Sequence, residues 1–260
     1  MTIQVLIVTM NQCRDDYSLL EKMNIQSDAI VCNQCDRNEF VEFFYKGHRI
    51  KWYSFAEKGV GLNRNTGLMR STADILVMAD DDMVFRDGYV DIVLDWMRKE
   101  NTADVLLFDL MKNGELISHD TKIKKIKKHN FGKYGAARMV LRTRNIRMYG
   151  IAFNTMFGGG CPYSCGEDSL FLYDCLNKGL RLVAIPEYIA ELTILRESTW
   201  FTGLTDKFFY DKGVLYGVMY HKMGRLYSLY HCIKHRNKYT DYGWYKACKQ
   251  MFTGVKSVNK

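Results

Sequence analysis

Apolar positions along the chain gather into short runs separated by polar punctuation. Gln4-Val5-Leu6-Ile7-Val8-Thr9 is a nearly unbroken β-branched and apolar run. It reads as a strand buried on both faces, as in a parallel sheet. Asp28 to Cys32, Arg49 to Tyr53 and Ile75 to Ala79 repeat the pattern, and Asp104 to Phe108 and Leu182 to Ile185 follow. Between these runs the apolar spacing turns helical. Asp15 and Asp16 can cap a helix whose inner face holds Leu19, Leu20 and Met23. Asp87 opens an amphipathic stretch through Trp96 and Met97, and a helix from about Glu167 to Lys178 is closed by Gly179. Gly59 to Asn65 reads as a turn leading into a helix with Leu68 and Met69, and Ile151 to Phe157 as an extended segment before Gly158-Gly159-Gly160. Lys112 to Gly150 is polar and basic, a long excursion or β-ribbon.

This alternation is the signature of an open α/β sheet, mixed but mostly parallel and flanked by helices. Ligands of such sheets bind beyond the carboxyl ends of the strands. Thr9, Asn11, Asp36 and the triplet Asp80-Asp81-Asp82 all fall at such ends.

Charge adds a second feature. The net charge is +8, and from Lys222 onward nine Lys/Arg face the single acid Asp241, so the excess lies entirely in the tail. Within it, Trp244, Cys248, Met251, Phe252 and Val255 follow helical spacing opposite Lys246, Lys249 and Lys256. Leu226, Tyr230 and Ile233 share a face beside Arg225, Lys234 and Arg236. A basic amphipathic helix with aromatics suits an anionic membrane surface, and equally a helix packed on its own domain with a solvated basic face. No nucleic-acid-binding motif accompanies the charge, so no nucleic-acid partner is expected. No apolar run approaches the roughly 18 residues of a membrane span, and no signal peptide is evident, so the expected location is cytoplasmic.

Eight cysteines include Cys32-x-x-Cys35 and Cys161-x-x-x-Cys165. Four thiolates could hold zinc, but the first pair ends a strand without a knuckle context and the second precedes better chemistry.

That chemistry is acidic. On an extended chain Asp80 and Asp82 would point one way and Asp81 the other, making a partial cage for Mg²⁺ or Mn²⁺ completed by phosphate oxygens and water. Solvated turn residues or helix caps would explain the triplet without a ligand. Gly166-Glu167-Asp168 is the second acidic site. Ser164 and Glu167 fit a capping box, which leaves Asp168 beside a glycine-rich loop as a candidate general base.

Taken in order, these pieces resemble the bacterial family 2 glycosyltransferases of polysaccharide biosynthesis. The matching pieces are the strand ending in Thr9, then Asp36, Gly61-Leu62-Asn63-Arg64-Asn65-Thr66-Gly67-Leu68, Asp80-Asp81-Asp82 as a D-x-D-type motif, and Gly166-Glu167-Asp168. The resemblance covers about residues 1–200. It implies a GT-A-type, Rossmann-like sheet with a C-terminal basic helical extension. The implied division is a glycosyltransferase domain over 1–200 (nucleotide-sugar half 1–108, acceptor half 109–200) and an extension over 201–260. Thr9, Asn11 and Asp36 would hold the nucleoside, and Arg64 and Asn65 would face the donor. Asp80 and Asp81 would border the ribose and diphosphate, and Asp82, with Asp80, the metal. Asp168 would be the base of an inverting displacement. Glu167, Gly159, Gly160 and Trp200 are acceptor-side candidates. Many GT-A enzymes add a later histidine to the metal. None lies between Asp168 and Trp200, so either Asp82 and the diphosphate hold the ion or His221 returns from the tail. The implied donor is a UDP-sugar. The implied acceptor is a lipid-linked saccharide, met at the inner face of the plasma membrane through residues 222–260. The competing expectations are a nucleotidyltransferase, disfavoured by the glycine-free turn after Thr9, and a non-enzymatic binding module.

Overall fold

The computed structural model describes residues 1–117, 120–193 and 203–258. The expected boundary near Trp200, and Trp200 itself, lie outside the described residues. The chain runs β1 (Ile3–Met10), α1 (Ser18–Lys22), β2 (Asp28–Gln34), β3 (Glu39–Tyr45), β4 (His48–Phe55), α2 (Val60–Arg70), β5 (Ile75–Asp80) and β6 (Met83–Phe85). It continues through α3 (Tyr89–Lys99), β7 (Val105–Lys112), β8 (Glu115–Leu116), β9 (Lys124–Lys125), β10 (Met139–Arg142), α4 (Thr143–Met148), α5 (Glu167–Asn177) and β11 (Leu182–Leu192). Three helices follow: α6 (Asp206–Tyr220), α7 (Gly224–Lys234) and α8 (Trp244–Val258).

One sheet organises the molecule, with spatial order β3-β4-β2-β1-β5-β10-β7-β11-β6. β4, β2, β1 and β5 run parallel, β10 is reversed between β5 and β7, and β11 runs parallel to β7. Parallel strands buried on both faces need apolar residues in succession, which explains the unbroken runs in β1 and β5. Alternate residues of β1 divide between two cores. Leu6 joins Ile30, Leu68, Met78 and Phe171 on one face, and Val5 and Ile7 join Leu20, Val77, Phe85 and Val93 on the other. α2 lies close against the sheet: a Cβ on Gly67 would come 1.9 Å from Leu6 Cδ1. Any side chain there would push the helix away from β1.

The structure corrects several expectations. Gly61 to Asn65 is not a turn: α2 begins at Val60 behind Gly59, whose φ of +121° only glycine adopts readily, and Val60 N–H donates to Gly159 O. Asp81 and Asp82 form the turn between β5 and β6, so strand alternation stops at Asp80 and does not govern the triplet. Residues 151–157 form no strand beyond a single bridge from Phe157 to Tyr163. Ser164 does not cap α5: the cap position is Gly166, and the Ser164 amide and hydroxyl both donate to Asp211 Oδ2. The polar excursion contains β10, a central strand, and β3 is an edge hairpin partner that the sequence pattern did not single out.

The tail helices form their own small core of Phe209, Cys232, Tyr239, Ala247, Cys248 and Met251. α6 also carries Val214, Leu215 and Met219 into the sheet's first core. α8 therefore packs inward through Cys248, Met251 and Val255, which are buried, and that stripe faces no membrane. Among the described residues no helix is long and apolar enough to cross a bilayer.

Candidate active site

The carboxyl ends of β1, β2 and β5 meet in a polar network. Thr9 is buried, and its hydroxyl donates to Asp81 Oδ2 at 2.6 Å while accepting from Gln12 Nε2 at 2.8 Å. Thr9 thus holds Asp81 in place. Asn11, at a left-handed φ of 57°, donates its N–H to Gln34 O, and Asn11 and Asp36 are both exposed at the strand ends. Beneath them, buried Asn33 accepts from Gln12 N–H and donates to Ser54 Oγ, and Asn63 donates to Cys32 O. Gln12, Asn33 and Asn63 escaped the sequence reading. Asn63 sits inside the quoted segment, and Gln12 and Asn33 flank Asn11 and Asp36, so their positions at strand ends were the available signal.

Arg64 is the hub. It stands one turn into α2 and is only 4% exposed. Its Nη1 is 2.9 Å from both Glu167 Oε1 and Asp168 Oδ1, and its Nη2 is 2.9 Å from Asp80 Oδ1. The Phe153 ring lies beneath the guanidinium, 5.3 Å away. Burial opposes the charge, but Asp168, Asp80 and Glu167 outweigh it and hold the Arg64 pKa above its ordinary value. A planar fork with several donors can serve three carboxylates at once, which an ammonium cannot. Arg64 is therefore buried among its three carboxylate partners.

Three carboxylates against one guanidinium leave an excess of negative charge. Burial pushes the Asp168 carboxyl up to about 7, opposed by Arg64 and reinforced by Glu167 and Asp80; the Ala136 N–H pulls it partly back. The Asp168 side chain keeps 27% of its surface exposed, so it remains reachable, while Glu167 keeps 11%. Both acids sit in the first turn of α5, where the helix dipole favours them.

The loop before α5 is fixed on two sides. Asp211, 1% exposed, accepts from Ser164 N–H and Oγ and from Lys207 Nζ. Gly158, at φ +101°, passes so close that a Cβ would lie 2.6 Å from Val60 Cγ1 and 2.7 Å from the Glu167 carboxylate. Gly159 O accepts from Val60 N–H at the start of α2, and a Cβ on Gly160 would lie 3.2 Å from Gly59 N. Asn65 binds both backbone groups of Phe153, donating to its carbonyl and accepting from its N–H at 2.8 Å each. It braces the 151–157 segment.

Metal donors are limited. The carboxylates of Asp80 and Asp82 are hard oxygen ligands of the class Mg²⁺ and Mn²⁺ take. Among the described residues no three His, Cys, Asp or Glu side chains form a metal-binding group, so His221 does not complete one. The Asp82 backbone carbonyl accepts from Thr193 N–H and Oγ1 at 2.8 Å, which pins the turn to the end of β11. The donor set fits an ion that draws most of its shell from diphosphate and water.

A large mixed, mostly parallel α/β sheet flanked by helices is consistent with the GT-A fold of glycosyltransferases. The glycosyl transferase family 2 model matches residues 18–157, more than half of the chain, and the protein belongs to that family. No curated protein matches the sequence. Among solved structures, S. aureus TarS 1–349 in complex with UDP-GlcNAc is similar with a TM-score of 0.61 at 14% identity, over 83% of this chain and 66% of that one. S. aureus TarS 1–349 in complex with UDP gives a TM-score of 0.57 at 15% identity, over 84% and 65%. A longer S. aureus TarS structure gives 0.58 at 14%, over 83% and 39%. The chain thus spans less than two thirds of each, and at this identity the likeness is one of fold.

Proposed function

We propose that the protein transfers one sugar from a nucleotide-diphosphate donor, a UDP-sugar, to a lipid-linked saccharide acceptor in cell-surface polysaccharide synthesis. The observation that carries this is the Arg64 hub, which brings the acidic turn after β5 and the acidic start of α5 into one cluster. The UDP and UDP-GlcNAc bound by the TarS structures make UDP the first nucleotide to test.

Asp168 acts as general base. Its carboxylate takes the proton of the acceptor hydroxyl while that oxygen attacks the anomeric carbon. The bond from that carbon to the diphosphate oxygen breaks, and the electron pair leaves with the nucleoside diphosphate. Attack from the face opposite the leaving group inverts the configuration. A base whose pKa lies near 7 is half ionised at neutral pH and still basic enough to accept a proton in the transition state. Arg64 holds Asp168 and Asp80 in register, so base and donor ends stay at a fixed separation. Asn11 and Asp36 line the nucleoside end, with Thr9 positioning Asp81 below them. Asp82 and Asp80 would hold Mn²⁺ or Mg²⁺, which supplies charge neutralisation to the leaving diphosphate. Glu167 supports the base from inside the cluster. Residues 1–200 form the catalytic unit in this reading, and 201–260 the extension.

The test is nucleotide release. Wild type incubated with UDP-sugars and a saccharide-lipid extract is expected to release UDP, and Asp168→Asn to release it at least about a hundredfold more slowly. Equal release by both proteins would end the role assigned to Asp168. A binding module without enzymatic activity would release none.

A further inference from the structure

We propose that α7 is a membrane-contact helix, and that its exposed apolar stripe, together with the lysine-rich segment 122–128, docks on an anionic lipid surface. The helix is packed in an unusual way. Its buried side consists of small residues, Gly224, Ser228 and Cys232. A Cβ on Gly224 would lie 2.8 Å from Tyr216 O, so the helix presses its backbone against α6. Its large apolar residues point the other way: Leu226 is 57% exposed, Tyr230 60% and Ile233 50%. These positions are spaced by four and three, which places them on one stripe of a helix with 3.6 residues per turn. Arg225 and Lys234, both exposed, flank that stripe. A helix that docks by its small residues and presents leucine, isoleucine and tyrosine between basic rims has the form of an interfacial element.

A second basic patch is linked to α7 by one stacked and one edge-on pair of tyrosine rings. Tyr227 of α7 stacks on Tyr220 at 3.7 Å, Tyr220 meets Tyr173 at 5.6 Å, and Lys128 Nζ lies 5.5 Å from the Tyr173 ring. Lys124, Lys125, Lys127 and Lys128 are all exposed there, and Ile123 among them is 49% exposed. β9 pairs with β11, so this patch is anchored to the sheet. A chain of ring contacts thus runs from α7 to the lysine segment, and each of the two basic regions carries exposed apolar residues. Charge selects the occupant. A second copy of this chain would bring like-charged rims together, whereas an anionic bilayer complements the rims and receives the stripe. The proposal stands on the surface alone and does not depend on the transfer reaction.

Vesicle flotation tests it with the full chain. Wild type is expected to float with vesicles of phosphatidylcholine and phosphatidylglycerol in equal parts, and to stay behind with phosphatidylcholine alone. Leu226→Glu with Ile233→Glu should lower partitioning by at least about a hundredfold. Lys124→Gln, Lys125→Gln and Lys127→Gln should each lower it by about fivefold, and added salt should weaken what remains. All these side chains are exposed, so the melting temperature and UDP binding of the variants should match wild type. Unchanged UDP binding separates this surface from the active site. Wild type that fails to float, variants that float as wild type does, or a solution dimer dissolved by the double glutamate substitution would each overturn the proposal.

Discussion

Arg64 Nη1 lies 2.9 Å from Asp168 Oδ1, across 104 positions of sequence. The same guanidinium holds Glu167 and Asp80 at 2.9 Å. Two acidic motifs that would repel each other are thereby joined through one cation, and the geometry of the proposed reaction follows from that junction.

Arg64→Met removes the positive charge that contacts three carboxylates. Breaking a buried ion pair from one side costs about 3–5 kcal/mol, reduced here because Asp80 and Asp168 are partly solvated. At about 2–4 °C per kcal/mol for a chain of this size, the melting temperature should fall by roughly 10 °C at pH 7.5. The deficit should shrink at pH 5, where the stranded carboxylates take up protons. Arg64→Lys should recover only part of the loss, since an ammonium cannot span three partners. Calorimetric scans at both pH values measure this.

Asp168 carries a pH signature. Its folded pKa, near 7, lies above the ordinary 3.8, so between these values the native state binds more protons than the unfolded one. Its contribution to stability is complete below about pH 4 and is lost as pH rises through about 7. Asp168→Asn should therefore show a flatter melting temperature between pH 5 and 8, with its advantage over wild type greatest at pH 8. In the wild type, kcat/KM should fall as pH drops below about 7, where the base is protonated.

Asp211 supports the loop before Asp168 from outside the candidate site. Its carboxylate takes both Ser164 donors and Lys207 Nζ. Asp211→Ala leaves these donors without their partner at a cost of about 1–3 kcal/mol. Turnover should fall while UDP affinity holds, because the loop precedes Asp168 and not the nucleoside end. A KM-against-kcat comparison separates the two.

Gly213 and Gly254 let two helix backbones touch. A Cβ on Gly213 would lie 2.0 Å from Met251 O, and one on Gly254 2.1 Å from Tyr210 O. Gly213→Ala must part α6 from α8 even though alanine favours helix. A loss of about 2–3 kcal/mol is expected, seen as a lower urea midpoint.

Much of this architecture was legible in the chain. β1 and β5 announce themselves because burial on both faces demands unbroken apolar runs, and Asp168 stands out once Glu167 is assigned to the helix start. β10 was hidden because Met139-Val140-Leu141 is short and bracketed by Arg138 and Arg142, which look solvated. Arg138 is in fact buried, paired with Asp109 at 3.0 Å and bound to Phe108 O. β3 was hidden because it is an edge strand with Phe40 and Phe44 exposed, so its pattern does not alternate apolar-in, polar-out. The Arg64 hub was not legible because its three partners come from two distant motifs, and long-range charge pairing leaves no local trace.

The most direct test of the account is UDP binding by titration calorimetry with Mn²⁺ on wild type, Asp82→Asn and Asp168→Asn, alongside turnover. The account predicts that Asp82→Asn loses UDP binding, while Asp168→Asn binds UDP as wild type does and loses about 10²- to 10⁴-fold in kcat. Equal UDP affinity in all three proteins, or normal turnover by Asp168→Asn, would contradict it.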